Sequence, residues 1–151
     1  MITAKLDYAN AVLYGLPENL LRKLQRVQNI AARIVTFTPR TAHITPVLQS
    51  LHWLPVQARI EFKLCLIVYK CMHGCAPEYL RELLFTRHPP RDLRYVLPLE
   101  VPVARSAVAE RAFGFAAPRL WNALPEEVRR VDSVAAFKKH LKTFLFRRTF
   151  L

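Results

Sequence analysis

The stretch Leu51–Pro77, LHWLPVQARIEFKLCLIVYKCMHGCAP, decides the fold of this chain. Pro55 is suited to a first helical turn, because proline lacks the N–H group that this turn leaves unpaired. Gly74, followed closely by Pro77, is typical of a helix end. The stretch therefore predicts one long helix over about residues 55–73.

This central helix has apolar side chains on two opposite sides when its residues are spaced at about 100°. One side carries Ile60, Leu64, Ile67, Val68 and Cys71, and the other carries Phe62, Leu66 and Tyr69. Arg59, Lys63 and Lys70 form a narrow basic strip between them. We expect a helix buried on two sides, whose remaining surface is basic.

The rest of the chain reads as further helices around this one. The sequence predicts a mainly α fold, a compact bundle of about six to seven helices in a single domain over residues 1–151. Helices are expected within residues 5–85 and 116–148. Prolines and scattered arginines between them predict an extended arm over about residues 86–110, with non-helical chain up to residue 115. At most a short β-hairpin is expected there, with strands at Tyr95–Leu97 and Arg111–Phe115.

Two helix starts carry capping signals. Thr45-Pro46 is typical of a cap followed by proline at the first helical position, and it predicts a short helix that runs to about Leu51. Ser133 is predicted to cap the C-terminal helix. Trp121 and Leu120, in the short helix before it, are expected to pack inward.

An amphipathic helix of about twenty residues is predicted after Pro17. Its buried face is expected to consist of Leu20, Leu24, Val27, Ala31 and Ile34. The opposite face carries Arg22, Arg26, Asn29 and Arg33. A purely structural helix usually pairs its arginines with acids four residues away, and we expect no such pair here. The arginine face therefore predicts phosphate contacts, with an ordinary solvated face as the alternative.

The net charge of the whole chain also favours contacts with phosphates. The net charge is +12 and the pI is about 10.3, with 9 basic and 3 acidic residues in the first 75 positions and 14 and 8 in the rest. Charge spread this evenly belongs to the folded surface rather than to a tail. Such a surface attracts polyanions, namely RNA, DNA or anionic lipid; solubility alone is the plain alternative.

Several classes of site are not expected. Cys71, His73 and Cys75 lie close together, but zinc needs four ligands, and burial accounts for Cys65 and Cys71. We therefore expect no metal and no cofactor.

Three cysteines in one helix and its end fit a reducing compartment. With no pattern for a signal peptide or a membrane span, the chain is expected to be intracellular, nuclear or cytoplasmic, and not secreted or membrane-bound.

Catalytic patterns are missing from the sequence as well. Ser50, Ser106 and Ser133 are the only serines, and none has the flanking glycines of a nucleophile elbow. Three glycines in the whole chain provide no phosphate-cradling loop. Two-metal nucleotide chemistry needs clustered aspartates, whereas the three in this chain are far apart. The sequence therefore predicts a protein that is not an enzyme.

A series of short sequence motifs, taken in their order along the chain, resembles a known family. The first are Leu6-Asp7-Tyr8-Ala9-Asn10, Tyr14-Gly15-Leu16-Pro17, Leu24-Gln25-Arg26-Val27-Gln28-Asn29, His43-Ile44-Thr45-Pro46 and Leu51-His52-Trp53-Leu54-Pro55-Val56. The later ones are Tyr69-Lys70, Ala76-Pro77, Tyr79-Leu80, Arg111-Ala112-Phe113, Ala116-Ala117-Pro118, Leu120-Trp121-Asn122 and Leu124-Pro125. They resemble the region that follows the catalytic palm in reverse transcriptases of LINE-type, non-LTR retrotransposons. The likeness runs from about Leu6 to Phe146.

The resemblance implies a thumb-like and downstream C-terminal part of an RNA-directed DNA polymerase, without its catalytic aspartates. In that family this part holds template RNA and the primer–template duplex. A chain that begins with Met1 inside this region is expected to be a truncated copy. The basic helix faces would then bind the RNA or DNA backbone without sequence specificity. The residues predicted to do so are Arg22, Arg26, Arg33, Arg59, Lys63, Lys70, Lys138, Lys139 and Lys142.

Two other interpretations of the sequence stay open. The chain could be a docking or scaffold module, whose apolar helix faces pack against a reverse-transcriptase palm or another copy. It could also be a relic without a function of its own. Binding to nucleic acid that weakens as the salt concentration rises would favour the nucleic-acid-binding interpretation over these two.

Overall fold

The computed structural model describes residues 2–84, 98–103 and 105–151. In these residues the chain is mainly helical, which confirms the predicted fold class. The α-helices are α1 (Ile2–Asp7), α2 (Glu18–Thr36), α3 (Ile44–Ser50), α4 (Val56–Met72), α5 (Glu78–Arg81), α6 (Phe113–Asn122), α7 (Glu126–Arg129) and α8 (Val134–Phe150). Two 3₁₀ helices span Asn10–Leu13 and Ala109–Arg111.

The chain groups into two compact units. Unit 1 consists of Met1–Phe62 together with Thr143–Leu151, and unit 2 consists of Lys63–Lys142. The helices α4 and α8 each contribute residues to both units. The expected single domain over residues 1–151 stays a prediction.

The central helix α4 ends as the sequence predicts. Gly74 has a φ of 66°, which glycine adopts without the steric cost that a Cβ atom brings. The N–H of Cys75 donates to the carbonyl of Lys70 over 2.8 Å, and the N–H of Gly74 donates to the carbonyl of Cys71 over 3.4 Å. These two bonds form a Schellman motif, which satisfies carbonyls that the last turn leaves without partners.

The interior position of α4 is confirmed by its burial. The buried side chains of this helix are Val56, Ala58, Ile60, Leu64, Cys65, Leu66, Val68, Tyr69 and Cys71. Phe62 and Ile67 stay partly exposed. Since apolar burial is the main favourable term in folding, α4 contributes much of the core.

In unit 1, α2 packs against α1 and α3 with a face that matches the predicted one only in part: Ala31 is buried as predicted, and Leu24 is half-buried. Gln28, Ala31 and Ala32 are its buried residues. The predicted face is wrong at Leu20, Val27 and Ile34, whose exposed fractions are 39%, 48% and 65%. A glutamine occupies the centre of the buried face, where its Nε2 group has a hydrogen-bond partner and its Oε1 atom has none among the described residues.

Two glutamines of α2 hold the start of α4 in unit 1. Gln28 Nε2 donates to the carbonyl oxygen of Leu54 over 2.8 Å, and the N–H of Val56 donates to Gln25 Oε1 over 2.9 Å. Val56 is the first residue of α4, so its N–H has no partner within the helix. Gln25 therefore satisfies an N–H that the first turn of α4 leaves unpaired, and Gln28 satisfies a carbonyl just before the helix.

The core of unit 2 contains three neighbouring aromatic rings, in which Tyr69 stacks on Phe137 and Trp121 lies tilted against Phe137. The centroid of Phe137 lies 4.2 Å from that of Tyr69 and 5.8 Å from that of Trp121, and none of these side chains is exposed. The hydroxyl of Tyr69 donates to the carbonyl of Val131 over 2.7 Å. Inward packing of Trp121 is confirmed, whereas Leu120 keeps partial exposure.

The predicted arm falls partly outside the described residues. This applies to residues 86–97 and to residue 104, and it includes the predicted strand at Tyr95–Leu97. Residues 98–103 contain no helix, and Leu99 takes part in an isolated β-bridge, the only β-structure in the part of the chain that the structure describes. Asn122 of α6 holds this segment, because its side-chain amide exchanges two hydrogen bonds, of 2.9 and 2.8 Å, with the backbone of Leu99.

Two local predictions are wrong and one is confirmed. The strand expected at Arg111–Phe115 is replaced by a 3₁₀ helix and by the start of α6. Thr45 is not the cap of α3, because that helix begins at Ile44 after His43. Ser133 does cap α8, since its hydroxyl oxygen accepts the N–H of Ala136 over 3.1 Å. Among the described residues, no helix is long and apolar enough to cross a membrane.

Replacing Tyr69 by phenylalanine tests how unit 2 responds to pH. Burial raises the pKa of Tyr69, and the charges of Asp132 and Cys75 raise it further. A raised pKa favours the neutral phenol in the folded state, so this contribution to stability is complete below a pH of about 10 and is lost as the pH rises through the folded-state value. We expect the Tyr69→Phe variant to lose about 1 kcal/mol of unfolding free energy at neutral pH, through the missing hydrogen bond.

Above a pH of about 10 the wild-type chain should lose stability more steeply than this variant. Urea unfolding followed by circular dichroism across the pH range measures both effects. Tyr79→Phe is the matched control, because Tyr79 is 65% exposed. Equal pH dependence of the wild-type and Tyr69→Phe chains would contradict the expectation.

Candidate nucleic-acid interface

The arginine face of α2 is present in unit 1 as the sequence predicts. Arg22, Arg26 and Arg33 fall within an arc of about 40° at the angular spacing of an α-helix. Arg22 and Arg26 are exposed, and Arg33 is half-buried. The first and last of the three lie about 16 Å apart along the axis, at 1.5 Å per residue. The face therefore presents a row of cations that is long enough to follow several phosphates.

One expectation about this face is wrong, because Arg22 does have an acid four residues away. Its Nη2 atom lies 3.3 Å from Glu18 Oε2, and both side chains are more than two-thirds exposed. Such an exposed pair contributes little to stability, with a typical value between about 0 and 1 kcal/mol. Arg22 can leave Glu18 for a phosphate at little energetic cost. The partner was visible in the sequence, since Glu18 stands one helical turn before Arg22.

Arg33 is already bonded within unit 1. Its Nη2 donates to the carbonyl of Ala42 over 2.8 Å, and its Nη1 donates to the carbonyl of Pro39. The guanidinium group thus ties the loop between α2 and α3 to the end of α2. Only its remaining N–H groups and its charge are left for a phosphate.

Arg59 has the most enclosed position among the predicted contacts. Its side chain is 14% exposed, and its Nη1 lies 2.9 and 2.8 Å from the two carboxylate oxygens of Asp7. Its Nε donates to the carbonyl of Leu54 over 2.9 Å. These bonds give Arg59 a structural role in unit 1, and its contribution to binding stays a prediction. Asp7 precedes Arg59 by 52 residues, so no local sequence pattern could predict this ion pair.

The predicted lysines lie in unit 2, on α4 and α8. Lys63 and Lys70 are half-buried, whereas Lys138, Lys139 and Lys142 are exposed. Lys138 and Lys142 stand one turn apart and share a side of α8. Among the described residues, no salt bridge joins either of these two lysines, or Arg26, to an acid. These three cations are the most available of the predicted set.

The cysteines do not form a metal centre in the described part of the chain. Cys65 and Cys71 are buried, and Cys75 is exposed. Burial raises the pKa of the Cys71 thiol, which disfavours the thiolate form that binds metals. In residues 2–84, 98–103 and 105–151, no group of three or more His, Cys, Asp or Glu side chains is placed to hold a metal ion.

Comparisons with known proteins found no relative. No protein-family model matches the chain, and no curated protein or solved structure matches it. The likeness to the post-palm region of LINE-type reverse transcriptases therefore rests on the residues quoted above.

Replacing Arg59 by glutamine separates its structural role from surface charge. The substitution removes two hydrogen bonds to a carboxylate and one to a backbone carbonyl in a largely buried position. We expect the unfolding free energy to fall by about 1.5–3 kcal/mol, the usual range for hydrogen bonds to charged groups. The measurement is urea denaturation followed by circular dichroism.

Arg26→Gln is the matched control, because it removes the same charge from an exposed site on α2. It should change the stability by less than about 0.5 kcal/mol. An equally small effect of Arg59→Gln would show that the bonds to Asp7 and Leu54 do not stabilise the chain.

Proposed function

We propose that this chain binds the backbone of RNA or DNA through basic helix faces and has no catalytic activity of its own. The observation that carries the proposal is the arginine face of α2, where Arg22, Arg26 and Arg33 follow one another along a single arc, the first two exposed and the third half-buried. Phosphate oxygens accept hydrogen bonds from guanidinium groups in a bidentate geometry, which makes arginine well suited to this contact.

The charge balance of the chain supports the proposal. A net charge of +12 exceeds what solubility requires of a small domain, for which a magnitude of about 2–8 suffices. Polyanions release counterions when such a surface neutralises their phosphates, and this release drives association. The positive charge also speeds diffusional encounter with a polyanion.

The geometry ranks the predicted contacts by availability. Arg26, Lys138 and Lys142 have exposed side chains without an acidic partner in the described residues, and Arg22 has a weak one. Arg33 and Arg59 contribute mainly through their charge, because their donors already bond within unit 1. The face on α2 belongs to unit 1 and the lysines of α8 belong to unit 2, so each is proposed as a binding surface by itself.

The proposed contacts are to the phosphate backbone and carry no sequence preference. Contacts of arginine and lysine with phosphates fix the position of a protein on nucleic acid, whereas base edges supply the specificity. The resemblance to the post-palm region of LINE-type reverse transcriptases agrees with this mode of binding. It leads us to propose that a template–primer duplex or template RNA is the natural class of ligand.

The salt dependence of binding tests the α2 surface. We expect the Arg22→Gln/Arg26→Gln double variant to bind a short RNA hairpin and a matched DNA duplex more weakly. The slope of log K against log salt concentration should become shallower by about two units, since each lost phosphate contact removes about one. Fluorescence anisotropy at several salt concentrations measures the slope.

The matched control is Arg81→Gln/Arg119→Gln, which removes the same charge from two exposed arginines that are paired with Glu78 and Glu110. The change in slope should be clearly smaller than in the α2 variant. Lys138→Gln/Lys142→Gln tests the α8 surface in the same way. Equal slopes for the α2 and control variants would remove α2 from the binding surface, and a folded chain that does not bind at low salt would refute the proposal.

A further inference from the structure

A row of apolar side chains on α2 faces solvent rather than the core. Leu20, Val27 and Ile34 stand seven residues apart, and Ile30, which is 59% exposed, follows Val27 by three residues. We call these four residues the α2 seam. They fall within an arc of about 80°, which lies between the arginine face on one side and the buried face of Gln28, Ala31 and Ala32 on the other. Between 39% and 65% of each of these side chains is exposed, so the packing of unit 1 leaves much of the seam uncovered.

The spacing of the seam is that of a coiled coil. Apolar residues at the first and fourth positions of a heptad, a and d, face a partner helix and insert between its side chains. Leu20, Val27 and Ile34 take position a, and Ile30 takes position d. Phe37, at the next d position, directly follows the helix and is 93% exposed. A surface helix with two heptads of exposed a and d residues is suited to pairing with another helix.

The charges around the seam define the chemistry of that partner. Lys23 takes the first d position and lies within the seam, and Arg26 takes position g at its edge. Both side chains are exposed. The only acid of α2 is Glu18, in its first turn. In coiled coils, residues at e and g form ion pairs across the interface and decide which partner binds.

We propose that the α2 seam docks an acidic amphipathic helix from another protein, with apolar residues at a and d and glutamate at the flanking positions. The glutamates would pair with Lys23 and Arg26, while the apolar side chains cover Val27, Ile30 and Ile34. The seam spans about 21 Å from Leu20 to Ile34, so a helix of about 15 residues covers it. This docking goes beyond the proposed binding of nucleic acid and does not depend on it.

A second copy of this chain fits the seam poorly for electrostatic reasons. A parallel pair would set Lys23 against Lys23 at position d. An antiparallel pair would set the g positions of the two helices side by side, and both carry arginine. Like charges placed this closely are destabilising, and the net charge of +12 on each chain adds to the repulsion.

The probe for the test is a fluorescein-labelled synthetic peptide of about three heptads, with leucine at a and d and glutamate at e and g. Glutamate at both flanks keeps the peptide from pairing with itself. Two control peptides are used: one with the same composition in scrambled order, and one with lysine at e and g. Fluorescence anisotropy with the full chain at moderate salt measures each affinity.

We expect the acidic heptad peptide to bind at least about tenfold more tightly than either control peptide. The Ile30→Asn/Ile34→Asn variant should lose at least about tenfold in affinity for it, because two apolar side chains no longer become buried. Val103→Asn/Val108→Asn, at two exposed valines of unit 2, is the matched control and should stay within about twofold. Binding of the RNA hairpin should be the same for all three chains, which separates this proposal from the proposed function.

Lys23→Glu provides a second test at an exposed position, where folding is not at risk. It should weaken binding of the acidic peptide and strengthen binding of the lysine-flanked one. Equal binding of the scrambled peptide, or no effect of the Ile30→Asn/Ile34→Asn change, would overturn the proposal. If sedimentation shows that the wild-type chain self-associates and that the Ile30→Asn/Ile34→Asn variant does not, the seam binds a second copy of the chain. Seam-dependent binding to phosphatidylserine vesicles would assign it to a membrane surface, and either result would also overturn the proposal.

Discussion

The carbonyl oxygen of Leu54 accepts hydrogen bonds from Gln28 and Arg59, and the placement of α4 in unit 1 depends on this pair of bonds. The carbonyl belongs to a buried residue just before the helix, where no helical N–H reaches it. An unpaired polar group in such a position costs about 1–3 kcal/mol. Side chains from two helices satisfy this carbonyl, and Gln25 accepts the N–H of Val56. Gln28 Oε1 has no partner among the described residues, so the arrangement satisfies the backbone and leaves one side-chain oxygen unpaired. A glutamine with no exposed surface is retained in α2 for this reason.

This constraint also determines which faces α2 has left for other molecules. Because Gln28 must face the start of α4, the small side chains beside it, Ala31 and Ala32, pack inward with it. The larger aliphatic residues of the helix are then turned toward solvent on one side, and the arginines on the other. One helix thus has a packing face, a proposed phosphate-binding face and a proposed protein-docking seam. The two proposed surfaces meet at Arg26, so a ligand on one would compete with a ligand on the other for that side chain.

The sequence predicted those features that depend on local signals. The fold class, the position of α4, its glycine-terminated end and the cap at Ser133 all follow from spacing, proline, glycine and hydroxyl residues close to the helix ends. The buried face of α2 was mispredicted, because hydrophobicity alone favours Leu20 and Val27 over Gln28. The amide is buried only because a carbonyl 26 residues later in the chain accepts its hydrogen bond.

The candidate site shows the same limit. The row of arginines on α2 is predictable from the helical period, and so is the pairing of Arg22 with Glu18, which stands four residues before it. The bonds of Arg33 to the carbonyls of Pro39 and Ala42 depend on the path of a loop, and those of Arg59 depend on a contact with the N-terminal helix. The hydrophobic periodicity of α2 and α4 predicts neither set of bonds. The sequence therefore could not separate arginines that bond within the fold from arginines that are free to contact a phosphate.

The three cysteines in and just after α4 differ in exposure, and this difference provides a way to follow local opening of the folded chain. In the native structure only Cys75 is exposed, while Cys65 and Cys71 are each 2% exposed. A thiol reagent therefore modifies one site on the folded chain, and it reaches the other two only when the packing around α4 opens. Unit 2 contains all three cysteines. The time course of alkylation at Cys65 and Cys71 thus measures how often the packing around α4 opens in that unit, without any introduced label.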